Sequence, residues 1–202
     1  MKTLGVILAF LFFTFMAEGN DFPDSTQTTN GPGPRWYHPH FIPVQFAGNM
    51  GFLSTGIGYE ARKQNYQLAL VYGYVPKSLG RVTVHSITAK NTFPLYRFFI
   101  DKNRIMIPYG AIGLNVEIGG RSFLTLPDNM PAGYYDFPKS THLIGAVGLK
   151  YKHIMNRRAF RAVEYFAELT SVDAYIWYKV RSDEVSMRQI LSGAVGINLM
   201  RR

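Results

Sequence analysis

"GAIGLNVEIG" (110–119), "GAVGLKYKHI" (145–154) and "GAVGINLM" (193–200) write the same texture three times, and "STGIGYEAR" (54–62) repeats it with small changes. Successive side chains of a β-strand point to opposite faces, so each stretch separates into two sets of residues. In the first, Ile112, Leu114, Val116 and Ile118 oppose Ala111, Gly113, Asn115, Glu117 and Gly119. In the second, Val147, Leu149 and Tyr151 oppose Ala146, Gly148, Lys150 and Lys152. In the third, Val195, Ile197 and Leu199 oppose Ser192, Ala194, Gly196 and Asn198. The fourth sets Leu53, Ile57 and Tyr59 against Ser54, Gly56, Gly58 and Glu60.

"NYQLALVYGYV" (65–75) and "AFRAVEYFAELT" (159–170) divide in the same way. Tyr66, Leu68, Leu70, Tyr72 and Tyr74 oppose Gln67, Ala69, Val71, Gly73 and Val75, while Val163, Tyr165, Ala167 and Leu169 oppose Ala162, Glu164, Phe166, Glu168 and Thr170. One face is therefore large and apolar, and the other is small, amide-bearing or singly charged. A water-soluble ligand-carrying barrel would put the apolar face inside and leave Gly, Ala and Ser as its solvent face, where they are poor strand residues. A narrow transmembrane barrel accounts for both faces, with lipid outside and a tight lumen inside. The glycines do not form a phosphate loop, because no Gly-Lys-Ser/Thr follows and no GxGxxG opens a helix.

The pattern predicts an all-β, antiparallel, up-and-down transmembrane barrel of about eight strands. These fall near 44–60, 65–75, 81–93, 104–118, 141–155, 159–170, 174–180 and 190–200. No convincing amphipathic helix appears after Val44, and no fixed repeat period marks a solenoid. Gly110, Gly145 and Gly193 sit early in their strands, where a bulge or close packing is expected to bend the sheet. Counted from a periplasmic N-terminus, the long connection Gly120–Thr141 follows the fourth strand and falls on the periplasmic side, where turns are usually short, so either the count is off by one strand or this loop is unusual.

Composition agrees with an exported barrel. Of 202 residues, 47% are hydrophobic and 15% aromatic, against 17% charged; soluble domains carry about 25% charged residues. The net charge of +9 fits an anionic membrane surface or a phosphorylated ligand as readily as nucleic acid. "MKTLGVILAFLFFTFMAEGN" reads as a secretory signal peptide over 1–19, since its apolar run of about 13 residues is short for a spanning helix. Residues 20–43 read as a Pro/Thr/Gly/Asn-rich lead-in anchored by aromatics, and 44–202 as the barrel. His38 and His40 flank a proline without carboxylate or thiol neighbours, which makes a poor metal pair. There is no cysteine, so no disulfide and no thiolate metal site. No cofactor or metal is expected.

In these features the chain resembles the small outer-membrane β-barrel families of Gram-negative bacteria, over the signal peptide and roughly 44–200. The resemblance implies the cell outer membrane, with membrane lipid, lipopolysaccharide and the outer-membrane assembly machinery as partners and no nucleic acid. Many such barrels end in an aromatic residue, whereas this chain ends "NLMRR". Basic connection residues (Arg62, Lys63, Arg97, Lys102, Arg104, Arg157, Arg158) suit lipid phosphates or plain solvation.

Six charges on the small face, Glu60, Glu117, Glu164, Glu168, Lys150 and Lys152, are expected to form lumen ion pairs, with Lys90 a further candidate, because an isolated lumen charge is too costly to desolvate. The expected role is structural or surface-interacting. The alternatives are a soluble ligand-carrying barrel and a lipid-modifying hydrolase similar to lipid A deacylases. For the hydrolase, Ser140 and His142 share a strand face and Glu164 or Glu168 lies on the next strand, which are the elements of a Ser/His/acid set. His85 and Ser86 are adjacent and point apart, and the deacylases' His-x-Ser-Asn stretch is absent.

Overall fold

The computed structural model describes residues 38–61, 66–80, 82–119, 140–155, 157, 159–175 and 186–201. The signal-peptide region, most of the lead-in and 120–139 of the long connection lie outside them.

The strands are β1 (Phe41–Ala47), β2 (Leu53–Ala61), β3 (Tyr66–Val75), β4 (Val84–Pro94), β5 (Phe98–Phe99), β6 (Arg104–Gly119), β7 (Thr141–Ile154), β8 (Phe160–Val172) and β9 (Ser192–Arg201). Eight of them close a ring, all antiparallel, in the order β1-β2-β3-β4-β6-β7-β8-β9. The closing pair is β1–β9, which runs without a break from Phe41↔Met200 to Ala47↔Ala194. Closure leaves no unpaired sheet edge. The two-residue β5 pairs only with the first residues of β6 and extends that hairpin.

The count of eight holds, but the strands are divided differently. The stretch 44–60 is two strands, separated by a tight turn. Ala47, Gly48 and Gly51 take positive φ there (63°, 85° and 136°), and the Ala47 amide donates to the Phe52 carbonyl. Ala47 is the only non-glycine among the described residues in that region of conformational space, which costs an L-residue about 1 kcal/mol or more. The predicted strand at 174–180 is not seen at Ala174 and Tyr175, and its remainder lies outside the described residues. β1 begins at Phe41, inside the predicted lead-in, and the chain locks on at His40, whose amide donates to Gly58 and whose carbonyl accepts from Arg201.

The extra early strand reverses the placement of the long connection. The connections 62–65, 95–103 and 155–159 share one end of the barrel with the first residues of β1 and the last of β9. The connections 48–52, 76–83, 120–140 and 173–191 share the other end. The flanks of the long connection, Gly119 and Ser140, thus lie at the end away from the start of β1, as do Val172 and Ser192.

Burial follows the period-two reading around the ring. Ala69, Val71, Thr88, Tyr109, Ala111, Asn115, Ala146, Lys150, Glu164, Glu168, Ala194 and Asn198 are buried inside. Leu70, Tyr72, Ile87, Ile112, Val147, Tyr165, Leu169 and Val195 point outward and are exposed.

The two glycines of each motif, three residues apart, have opposite fates. Gly110, Gly145 and Gly193 face outward, and a Cβ at each would meet nothing within 4 Å. Registers run unbroken through them, so the expected bulge is absent; the one register shift lies between Phe160 and Ala162. Gly148 and Gly196 face inward, against the rings of Tyr109 and Phe166. A Cβ on Gly148 would lie 2.7 Å from Tyr109 Cζ, so its missing side chain is the space the ring fills.

Candidate functional site

The lumen is built differently in its two halves. The half nearer the start of β1 and the end of β9 holds the charges. Lys90 Nζ lies 2.6 Å from both oxygens of Glu168, and Tyr109 Oη donates to Glu168 Oε2 at 2.6 Å. Lys152 Nζ is 3.2 Å from Glu164 Oε1 and 4.0 Å from Glu60, while Arg161 caps Glu60. Amides complete the shell: Asn198 Nδ2 donates to Glu164 at 3.1 Å, and Gln67 Nε2 donates to Glu60 and Glu164 at 3.2 and 3.3 Å. Lys150 donates to Gln67 Oε1.

Strand register makes this network. Lys152 stands opposite Glu164, Glu164 opposite Asn198, and Glu60 opposite Gln67. Glu164 is 1% exposed and Glu168 4%. A carboxylate at that depth is tolerated only when paired and hydrogen-bonded, and each of these two is both.

The half nearer the long connections is closed by neutral groups. The β1–β2 turn folds inward and buries Met50 against Ile144 and Val172. The Met50 carbonyl accepts from Ser86 Oγ at 2.5 Å and Ser54 Oγ at 3.4 Å, and Thr88 Oγ1 donates to Asn115 Oδ1 at 2.7 Å. Gly73 permits the turn, since a Cβ there would strike the Met50 carbonyl. The cavities that remain are small. One of about 10 Å³ lies beneath Met50, and one of about 30 Å³ lies among Lys90, Tyr109 and Lys150.

The structure brings Glu60, Glu164, Glu168, Lys150 and Lys152 together. Glu117 stays apart, opposite Ser86 near the long-connection end, with no ion pair among the described residues. Lys90, the further candidate, pairs with both oxygens of Glu168.

Sequence reasoning missed Arg161 and Tyr109. Simple parity puts Arg161 outward with Val163, but it sits at the Phe160/Ala162 register shift and reaches Glu60 over the rim. Tyr109 was one step of the same parity back from Ala111.

The set Ser140, His142 and Glu164 is not assembled. Glu164 is opposite Lys152, ten residues along β7 from His142, or roughly 33 Å at strand rise. Glu168, opposite Gly148, is about 20 Å away by the same measure. The acid beside His142 is Asp173, with Oδ1 3.5 Å from Nδ1, and Ser140 is fully buried just before β7. On the outer wall, His85 Nδ1 hydrogen-bonds Tyr72 Oη at 2.5 Å, while Ser86 points into the lumen. His40 Nδ1 accepts the Glu60 amide at 2.9 Å, which ties the lead-in to β2.

At the charged end of the barrel, Leu95, Tyr96, Phe98, Phe99 and Ile100 project from the β4–β6 connection and are exposed. Asp101 closes this hairpin. The Asn103 amide and the Arg104 guanidinium hold its carboxyl below the usual range. Arg97, Lys102, Arg104 and Arg157 all belong to this end, not to the end with the long connections. No family model, curated protein or solved structure matches the chain.

Proposed function

We propose that the chain is an outer-membrane β-barrel of a Gram-negative envelope, with a structural or surface-interaction role and no catalytic centre in its lumen. One observation carries the reading: around the whole ring the outward residues are apolar and the inward ones include buried, paired charges. In water this arrangement is inverted, because exposed Leu70, Val147, Leu169 and Val195 would face solvent while ion pairs occupied the core. In a bilayer both faces are matched to their surroundings.

The distribution of connections supports the same orientation, with the two longest, 120–140 and 173–191, outside. On this reading the basic residues Lys102, Arg104 and Arg157 meet anionic headgroups of the inner leaflet. Contact with lipopolysaccharide or an envelope partner then falls to 120–140 and 173–191. A soluble ligand carrier is disfavoured by a lumen filled with ion pairs, and a hydrolase by the distance from His142 to Glu164.

The test is expression of the full chain with its own N-terminus in a Gram-negative host, followed by membrane fractionation and gels run with and without boiling. The expected result is an outer-membrane band whose mobility shifts on heating. A soluble periplasmic protein with no shift would overturn the proposal.

A further inference from the structure

The ion pairs of the lumen network are not one to one. Three carboxylates, Glu60, Glu164 and Glu168, face four cations at ion-pair distance, Lys90, Lys150, Lys152 and Arg161, among the described residues, and the Arg97 guanidinium at the rim faces Glu60 and Glu164 as well. Glu168 is engaged by Lys90 through both oxygens, Glu164 by Lys152 at 3.2 Å, and Glu60 by Arg161. Lys150 is the remainder. Its nearest carboxylate oxygen is 3.9 Å away, on the Glu164 that Lys152 already holds more closely.

The other contacts of Lys150 are neutral: Gln67 Oε1 and the Tyr109 ring, whose centroid is 4.7 Å from Nζ. The residue is 5% exposed. An ammonium at that depth without a counter-charge of its own is strongly disfavoured. A cation–π contact offsets only part of that cost.

Beside Lys150 lies the cavity of about 30 Å³. Its charged lining is Lys90 and Lys150 with no carboxylate, and Gln45, Gln67, Thr92 and Asn198 supply its polar groups. Glu168 occupies two of the three Lys90 donors and Gln67 one of those on Lys150, which leaves donor capacity on both. A cavity of this size has room for about two waters or one halide-sized ion. Two neighbouring ammonium groups, one of them without a carboxylate of its own, call for a small anion.

We propose that this cavity is a binding site for one small monovalent anion of halide size, held between the ammonium groups of Lys90 and Lys150. The anion supplies Lys150 with a counter-charge of its own, so barrel stability depends on it. The site lies inside the ring and is independent of whether the outer wall faces lipid or water.

The test uses the purified full-length barrel with sodium bromide as the probe. Crystals soaked in bromide are expected to give one anomalous peak inside the barrel, within hydrogen-bonding distance of Lys150 Nζ. The thermal midpoint in saturating bromide or chloride is expected to exceed that in sodium gluconate at equal ionic strength by about 5 °C. Lys150→Met removes one of the two ammonium groups of the cavity and is expected to abolish both the peak and the halide dependence. Should that variant not fold, the wild-type bromide map decides alone. An empty cavity in the bromide map, with equal midpoints in halide and gluconate, would overturn the proposal and leave water as the occupant.

Discussion

The two faces of β7 are made from alternate residues of one strand, yet they obey opposite rules. Inward, Ala146, Gly148, Lys150 and Lys152 are fixed by what stands across the lumen: Gly148 by the Tyr109 ring, Lys150 and Lys152 by Glu164. Outward, Gly145, Val147 and Leu149 touch little, and Val147 is 62% exposed. The inner face is specified residue by residue, because a tight lumen admits one volume and one charge at each position. The outer face is specified only in kind: apolar, of any shape, as a fluid surrounding requires.

The sharpest break of that contrast is at Glu164. Glu164→Ala leaves Lys152 without its closest partner and Lys150 without its nearest carboxylate, at a depth where each needs one. Loss of about 3–5 kcal/mol is expected in urea unfolding of the refolded barrel. A loss below about 1 kcal/mol would mean the lumen is wet enough to solvate two free ammonium groups.

The glycines sharpen the contrast within a single motif. Gly148→Ala puts a methyl group against the Tyr109 ring and the Ala167 carbonyl and is expected to cost about 1–3 kcal/mol. Gly145→Ala, three residues earlier on the outer wall, is expected to change stability by less than about 0.5 kcal/mol. Equal costs at the two sites would show that backbone flexibility, not lumen space, explains the repeated texture.

Much of this was legible in the sequence because alternation is a local signal. Parity alone placed Glu60, Lys150, Lys152, Glu164 and Glu168 on one face, and closure of the ring then brought them together. What parity cannot show is a break that keeps the hydrophobic pattern intact. Between Phe46 and Leu53 the apolar residues run on through Ala47, Met50 and Phe52, so the turn was hidden. Its positive φ angles fall partly on Ala47, a residue that does not announce a turn. That one missed turn is the one-strand miscount that the unexpected place of the long connection pointed to. Arg161 was hidden by the neighbouring register shift, and Asp173, the acid beside His142, lies across the sheet in a segment with no strand pattern. Pairing among charges also depends on which strands are neighbours, which is a property of the closed ring and not of any one stretch.

The account rests most heavily on the outward face lying in lipid, and the absence of cysteine makes this directly measurable. Leu70→Cys, Val147→Cys, Tyr165→Cys and Val195→Cys, each spin-labelled in outer-membrane preparations, sample four strands around the ring. The account predicts high accessibility to oxygen, which concentrates in lipid, and low accessibility to a water-soluble nickel chelate at all four positions. High nickel accessibility at those positions would place the wall in water and contradict the membrane barrel.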